Sequence, residues 1–260
     1  MVKILAIGDP HGKLPNIPRD VDLILLTGDI GKSDIWRRIA FKNIERESKG
    51  LEPIEDKEKI KKGYYEVYNS SIKILKKLSK IAPIYLVFGN IEKNNAQTKE
   101  ISKEVGKKLP SLMDFIKKNK NIHLLNNVKR NFRGIRLAGI PFYGDIGWLK
   151  KFEKPEKDEE KKYRKSTEKE KRVLKWFGGH LDILICHQPP YSILDKVNFP
   201  QAPKNWQGKH AGSKVILNYI KKHQPKYVLC GHIHEGKGKK RIGKTIVYNL
   251  GVAGKQILDL

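Results

Sequence analysis

VKILAIGDPHG, residues 2–12, is the stretch that decides the fold. Its apolar run is too short for a helix and stops abruptly at Gly8, so it reads as a buried β-strand ending in a turn. Glycine on either side lets the backbone turn tightly, and Asp9 and His11, two residues apart, can then point to one side and share an ion.

The same unit recurs along the chain. DLILLTG (22–28), PIYLVFG (83–89), IRLAGI (135–140), DILICH (182–187), KYVLCG (226–231) and TIVYNLG (245–251) are short, β-branched-rich and closed by turn residues or polar groups. Helical periodicity occupies residues 33–47, 57–80, 109–118, 166–177 and 213–223 between them. Strands alternating with helices predict an α/β architecture. At the strand ends stand Asp9 and His11, then Asp29, Asn90, His187, and finally His232 and His234. In α/β sheets the carboxyl ends of strands form the ligand crevice, so residues far apart in sequence converge there. Four imidazoles, two carboxylates and one amide oxygen make a mixed nitrogen and oxygen donor set suited to manganese, iron, zinc or nickel. Each element alone is weak evidence for a metal. All of them in order are strong evidence.

Composition sets the background. The 260 residues are 38% hydrophobic and 32% charged, a folded but highly charged chain. No segment approaches the ~20 apolar residues of a membrane span, and the first apolar run lacks a signal-peptide cleavage site, so a cytoplasmic protein with no membrane association is expected. Cys186 and Cys230 end apolar runs and lack a Cys-x-x-Cys partner; they read as small core residues in a reducing compartment. The net charge of +26 would draw nucleic acid to the surface. A lysine-biased or thermophilic composition accounts for it equally well, because the basic residues are scattered without aromatic interleaving. Residues 49–62 and 150–171 are the most polar, the second with both signs mixed, and read as solvated helix faces or loops. A single domain over residues 1–260 is expected, with charged insertions near residues 32–80 and 143–178; oligomeric state is not indicated.

GDPHG, TGDI, GN at Gly89 and Asn90, CHQPP and GHIH resemble, in order, the five motifs of calcineurin-like metallophosphoesterases. The resemblance spans residues 4–250 and implies a four-layer αββα sandwich with two central mixed β-sheets. It implies two divalent metal ions, manganese first, with iron, zinc or nickel as alternatives. Asp9, His11, Asp29 and His234 would hold one ion and Asp29, Asn90, His187 and His232 the other, with Asp29 bridging. The implied activity is hydrolysis of a phosphate ester, a phosphodiester first, by a metal-bridging hydroxide. No protein nucleophile is required, and no Gly-x-Ser-x-Gly elbow or reactive-cysteine motif is present. Asp29, Asn90 and His187 would act through metal and phosphate binding.

One position departs from the pattern. The family's third motif commonly continues with histidine, whereas here Ile91 follows Asn90 and cannot donate a proton. General-acid help is typically worth about 10² to 10⁴ in rate. Glu92 and His210 are candidate substitutes; the plainer readings are a helix-start carboxylate for Glu92 and a residue ahead of a helix for His210. His123, His180 and His223 lack motif context and read as surface or packing residues. Two alternatives stay open: a metal-binding scaffold, suggested by Ile91 and the aromatic residues Phe142, Tyr143, Trp148 and Trp206, and a nuclease, suggested by the charge.

Overall fold

A computed structural model describes residues 1–152, 156–200 and 202–260. In chain order the strands are β1 (Lys3–Ile7), β2 (Leu23–Leu26), β3 (Ile84–Leu86), β4 (Ile122–Leu124), β5 (Val128–Phe132), β6 (Ile135–Ile140), β7 (Ile183–Cys186), β8 (Tyr227–Cys230), β9 (Gly238–Ile242), β10 (Thr245–Asn249) and β11 (Lys255–Asp259). The helices are α1 (Asp34–Ser48), α2 (Lys57–Leu78), α3 (Asn95–Glu104), α4 (Leu112–Lys117), α5 (Ile146–Phe152), α6 (Lys157–Phe177) and α7 (Lys214–His223). One sheet has the order β11-β1-β2-β3-β4 and the other β5-β6-β7-β8-β10-β9.

Residue alternation explains the layering. Leu5 and Ile7 of β1, Ile24 and Leu26 of β2, and Ile84 and Leu86 of β3 pack with Ile74, Leu75 and Leu78 of α2 and Leu112 and Ile116 of α4. The intervening residues Ile4, Ala6, Leu23, Leu25 and Tyr85 face the other way and meet Ile135, Leu137, Ile183, Ile185 and Leu229 of the second sheet. On that sheet's far side, Ala138, Ile140, Leu184, Cys186, Val228 and Cys230 pack with Leu174 and Phe177 of α6 and Ile216, Tyr219 and Ile220 of α7. Helix, sheet, sheet, helix is therefore the order of layers, as expected. Strands buried on both faces must be apolar at every position, which is why their sequences run without alternation.

Both sheets are mixed. β1–β4 are parallel, with β11 antiparallel to β1. β6, β7, β8 and β10 are parallel, with β5 and β9 antiparallel at the two edges. All five strands that carry the motif residues therefore point the same way within their sheets. Cys186 and Cys230 lie on the neighbouring strands β7 and β8 as free, buried thiols.

Several elements escaped the sequence reading. α6 begins at Lys157 rather than at residue 166, so the mixed-charge run is largely helix; residues 153–155 of that run lie outside the described residues. Asp158, Glu159 and Glu160 fill its first turn, where the helix dipole favours acids, and Glu160 pairs with Arg164 one turn on. Its apolar face is sparse, which hid it: among its described residues Thr167, Glu170, Leu174 and Phe177 are buried. α3, capped reciprocally by Asn94 and Gln97, and α5 were also missed. So were β4, β5, β9 and β11, which sit at sheet edges and carry polar residues.

Candidate metal centre

Seven side chains from five strand ends meet where the two sheets face each other. Asp9 and His11 follow β1, Asp29 follows β2, Asn90 follows β3, His187 follows β7 directly, and His232 and His234 follow β8. His11, Asp29 and His232 adopt positive φ of 44°, 46° and 65°. Left-handed backbone at a non-glycine residue costs on the order of 1–2 kcal/mol, so three such residues in one centre mark stored strain.

The contacts divide into two groups that share carboxylates. His11 Nε2 lies 3.2 Å from His234 Nε2, and His234 Nε2 lies 3.3 Å from Asp9 Oδ2. On the other side Asn90 Oδ1 is 3.0 Å from His187 Nε2 and 3.1 Å from His232 Nδ1. Asp29 stands between them, with Oδ2 3.6 Å from His11 Nε2 and Oδ1 3.6 Å from His187 Nε2. Asp9, His11 and His234, and likewise Asp9, Asp29 and His187, offer ligand atoms within 4.8 Å of one another.

A supporting layer orients these groups. Thr27 Oγ1 donates to Asp9 Oδ1 at 2.8 Å, and the His232 amide donates to Asp9 Oδ2 at 2.6 Å. The Thr27 carbonyl, which can only accept, lies 2.8 Å from His187 Nδ1 and so fixes the proton there, leaving the Nε2 lone pair toward Asn90 and Asp29. Because Nδ1 is committed to Thr27, His187 belongs with Asn90 and Asp29 more than with Asp9, although its Nδ1 is 3.9 Å from Asp9 Oδ1. Close approach also demands glycine. A Cβ on Gly89 would overlap Asp29 Oδ1, and one on Gly231 would overlap Asp9 Oδ1.

The electrostatics suit a cation. Asp9 and Asp29 are almost fully buried, and among the described residues neither has a lysine or arginine within ion-pair distance. Burial alone would raise the Asp9 carboxyl, but facing His187 and His234 hold it well below the usual range. Burial lowers His11, aided by nearby His234 and Arg37 against the pull of Asp29 and Asp9. His232 is pushed down to about 3 by burial and by His187. His187 moves upward, because Asp29 and Asp9 outweigh its burial. Two buried carboxylates facing a cluster of imidazoles, with His11 and His232 held toward the neutral form, are the donor set a transition-metal ion takes, so the residues present fit the implied group.

Glu92 is not a helix-start carboxylate. It accepts the amides of Asp29 at 3.0 Å, Ile30 at 2.6 Å and Gly89 at 2.8 Å, and so ties the β2 and β3 loops together. Burial, with the Asp29 charge, pushes its carboxyl up to about 7 against those amides. Ile91 lines a nearly filled pocket with Trp36, Tyr64, Val67, Tyr68 and Leu112, leaving only about 10 Å³ of cavity. His210 is bound through Nδ1 to Asp195 Oδ1 at 2.6 Å, ahead of α7 as expected, and is not one of the gathered ligands. His123 packs on Tyr85 and His223 on Tyr219. Phe142 edges the centre, 5.1 Å from the His232 ring and 6.0 Å from His187. Trp148 and Trp206 belong to a satellite core with Phe152 and Ile233, while Tyr143 is buried beside α6 and α7. Thr27 and the bracing role of Glu92 had no signal in the sequence beyond their place beside the motifs.

The family model described as Calcineurin-like phosphoesterase matches residues 2–236. The chain belongs to the calcineurin-like phosphoesterase family. As such it is a metal-dependent phosphate-ester hydrolase. An uncharacterised protein of Methanocaldococcus jannaschii is 28% identical over 256 residues, 95% of this chain and 87% of that protein. Among solved structures, one aligns with a TM-score of 0.63 at 20% identity, covering 99% of this chain and 94% of its own. A structure titled as a dimetal phosphatase from Danio rerio aligns with a TM-score of 0.50 at 11% identity, covering 97% of this chain and 88% of its own. These structures share the fold of this chain. Among the described residues no helix is long and apolar enough to cross a membrane.

Proposed function

We propose that the chain is a dinuclear phosphodiesterase in which Asp9, His11, Asp29 and His234 hold one divalent cation and Asp29, Asn90, His187 and His232 the other. The observation that carries this reading is the split of the Asp29 carboxylate, one oxygen toward His11 and the other toward His187, each at 3.6 Å. When bound, two such cations acidify water and offset charge on phosphoryl oxygens. The chain's own part is orientation. Thr27 and the His232 amide fix Asp9, the Thr27 carbonyl engages His187 Nδ1 and turns its Nε2 toward Asn90 and Asp29, and Glu92 sets the spacing of Asp29 and Asn90. Phe142 places an apolar edge against the imidazoles and limits water there.

Manganese is the first candidate cation, with iron, zinc and nickel compatible with the same donors. Preference for diesters with acidic leaving alcohols is supported by Ile91, which is apolar, and by Glu92, whose two oxygens are occupied by amides. A cytoplasmic setting is supported by the free thiols of Cys186 and Cys230. A single domain over residues 1–260 is supported by the core shared between the two sheets.

Hydrolysis of bis-p-nitrophenyl phosphate, p-nitrophenyl phosphate and a short single-stranded DNA tests the reading. Metal-stripped protein is supplied with manganese, nickel, zinc or magnesium, beside Asp29→Asn and His187→Ala. Metal-dependent diester turnover lost in both variants is expected. Absence of turnover with every metal, despite two bound ions, would instead make the protein a scaffold, and turnover confined to DNA would make it a nuclease.

A further inference from the structure

Two walls rise beside the His11 and His234 end of the centre, and each is rooted on a residue next to a proposed ligand. The first is α1. Ser33, just ahead of the helix, places Oγ 3.4 Å from His11 Nδ1, and the Arg37 amide donates to the Ser33 carbonyl at 2.9 Å. The second is the loop leading to α7. Its Asn198 amide donates to Glu235 Oε1 at 2.9 Å, and Glu235 directly follows His234. The loop is braced internally, Val197 donating to the Lys209 carbonyl and Ala202 to the Phe199 carbonyl, both at 2.9 Å.

The walls touch through Arg37, Phe41 and Phe199. The Arg37 guanidinium carbon lies 5.8 Å from the centre of the Phe199 ring, and the Phe41 and Phe199 rings are 5.9 Å apart. Phe41 is 36% exposed, so this contact is a surface bridge and not a core. Arg37 is exposed and, among the described residues, has no carboxylate within ion-pair distance, in contrast to Lys32 beside it, which pairs with Asp34 and Glu66. A guanidinium laid on an aromatic face keeps its N–H edge free for a planar or tetrahedral anion.

We propose that Arg37 is a specificity residue that binds a second anionic group, a carboxylate or phosphate carried on the alcohol portion of the ester. The proposal rests on the phosphoesterase reading of the metal centre, where the ester phosphate itself would sit. Phe199 and Phe41 hold the guanidinium at the rim, so that the favoured substrate is a phosphate ester with one further negative charge a few bonds from the scissile linkage. Esters of neutral alcohols lose that contact. A charge-assisted hydrogen bond at an exposed rim supports a preference of roughly five- to tenfold.

The test uses two non-hydrolysable phosphonates, 3-phosphonopropionate and n-propylphosphonate, which differ in the carboxylate. Binding to the manganese-loaded protein is followed by titration calorimetry, so no turnover is required. The native protein should bind 3-phosphonopropionate about five- to tenfold more tightly. Arg37→Ala should bring the ratio to about one, and Arg37→Glu should invert it. Equal affinity in the native protein, or an unchanged ratio in Arg37→Ala, overturns the assignment of Arg37 alone. Failure of both phosphonates to bind protein that holds its metal overturns this proposal together with the phosphoesterase reading.

Discussion

Replacing Glu170 by glutamine should change the pH dependence of stability in a calculable way. Glu170 is fully buried on α6; its Oε1 accepts from Ser213 Oγ at 3.0 Å, and its Oε2 has no hydrogen-bond partner among the described residues. Burial, with the nearby Asp145 charge, pushes its carboxyl from 4.5 up to about 8. Between those values the folded protein keeps a proton that the unfolded chain has released. The stabilisation is therefore complete below about pH 4.5 and is lost as pH rises through about 8. Each pH unit in the window removes about 1.4 kcal/mol, so roughly 3–5 kcal/mol is lost across it. Glu170→Gln mimics the protonated carboxyl and has nothing to titrate. Urea unfolding at pH 5, 7 and 9 should show the variant close to the native protein at pH 5 and more stable by several kcal/mol at pH 9. Parallel pH profiles for the two proteins would refute the reasoning, as would a variant less stable at pH 9.

Three further outcomes are expected. Glu92→Gln presents an amide N–H₂ to backbone donors now held by a carboxylate, and should lower stability by about 2–4 kcal/mol in urea; an unchanged midpoint would deny the bracing role. Gly89→Ala and Gly231→Ala place a methyl group onto Asp29 and Asp9, so calorimetric manganese affinity should fall at least ~10-fold, and native affinity in both would remove the close-approach argument. Ile91→His buries an imidazole among Trp36, Tyr64 and Leu112, which should cost about 1–3 kcal/mol in thermal unfolding without speeding p-nitrophenyl phosphate hydrolysis. A faster variant would show that this position faces the substrate.

The side chains that gather at the centre were legible because their chemistry stands out from the apolar pattern around them. Asp9, Asp29, Asn90, His187 and His232 interrupt apolar runs at the one point where a strand ends, and no core requirement explains a carboxylate or imidazole there. Glu92 was misread for the opposite reason. Its partners are backbone amides of Asp29 and Ile30, about 60 residues away and invisible to any side-chain pattern. The first half of α6 reads equally as solvated helix or loop, because a helix that exposes most of its surface needs few apolar residues, and its lysines and glutamates resemble a loop. Edge strands fail in the same way. Val128–Phe132 and Gly238–Ile242 are each paired on one side only, so nothing compels them to be apolar.

Those two outer strands give part of the +26 charge a purpose unrelated to any bound partner. β5 presents Lys129 and Arg130, and β9 presents Lys239, Lys240 and Arg241, all exposed, at opposite edges of the second sheet. An unpaired strand edge is a template on which another chain can add, and lysine or arginine along it repels a second copy of the same edge. The first sheet uses brevity at one margin, where β4 is three residues long. Positive charge placed this way guards the protein against edge-to-edge aggregation, and salt that screens it weakens the guard.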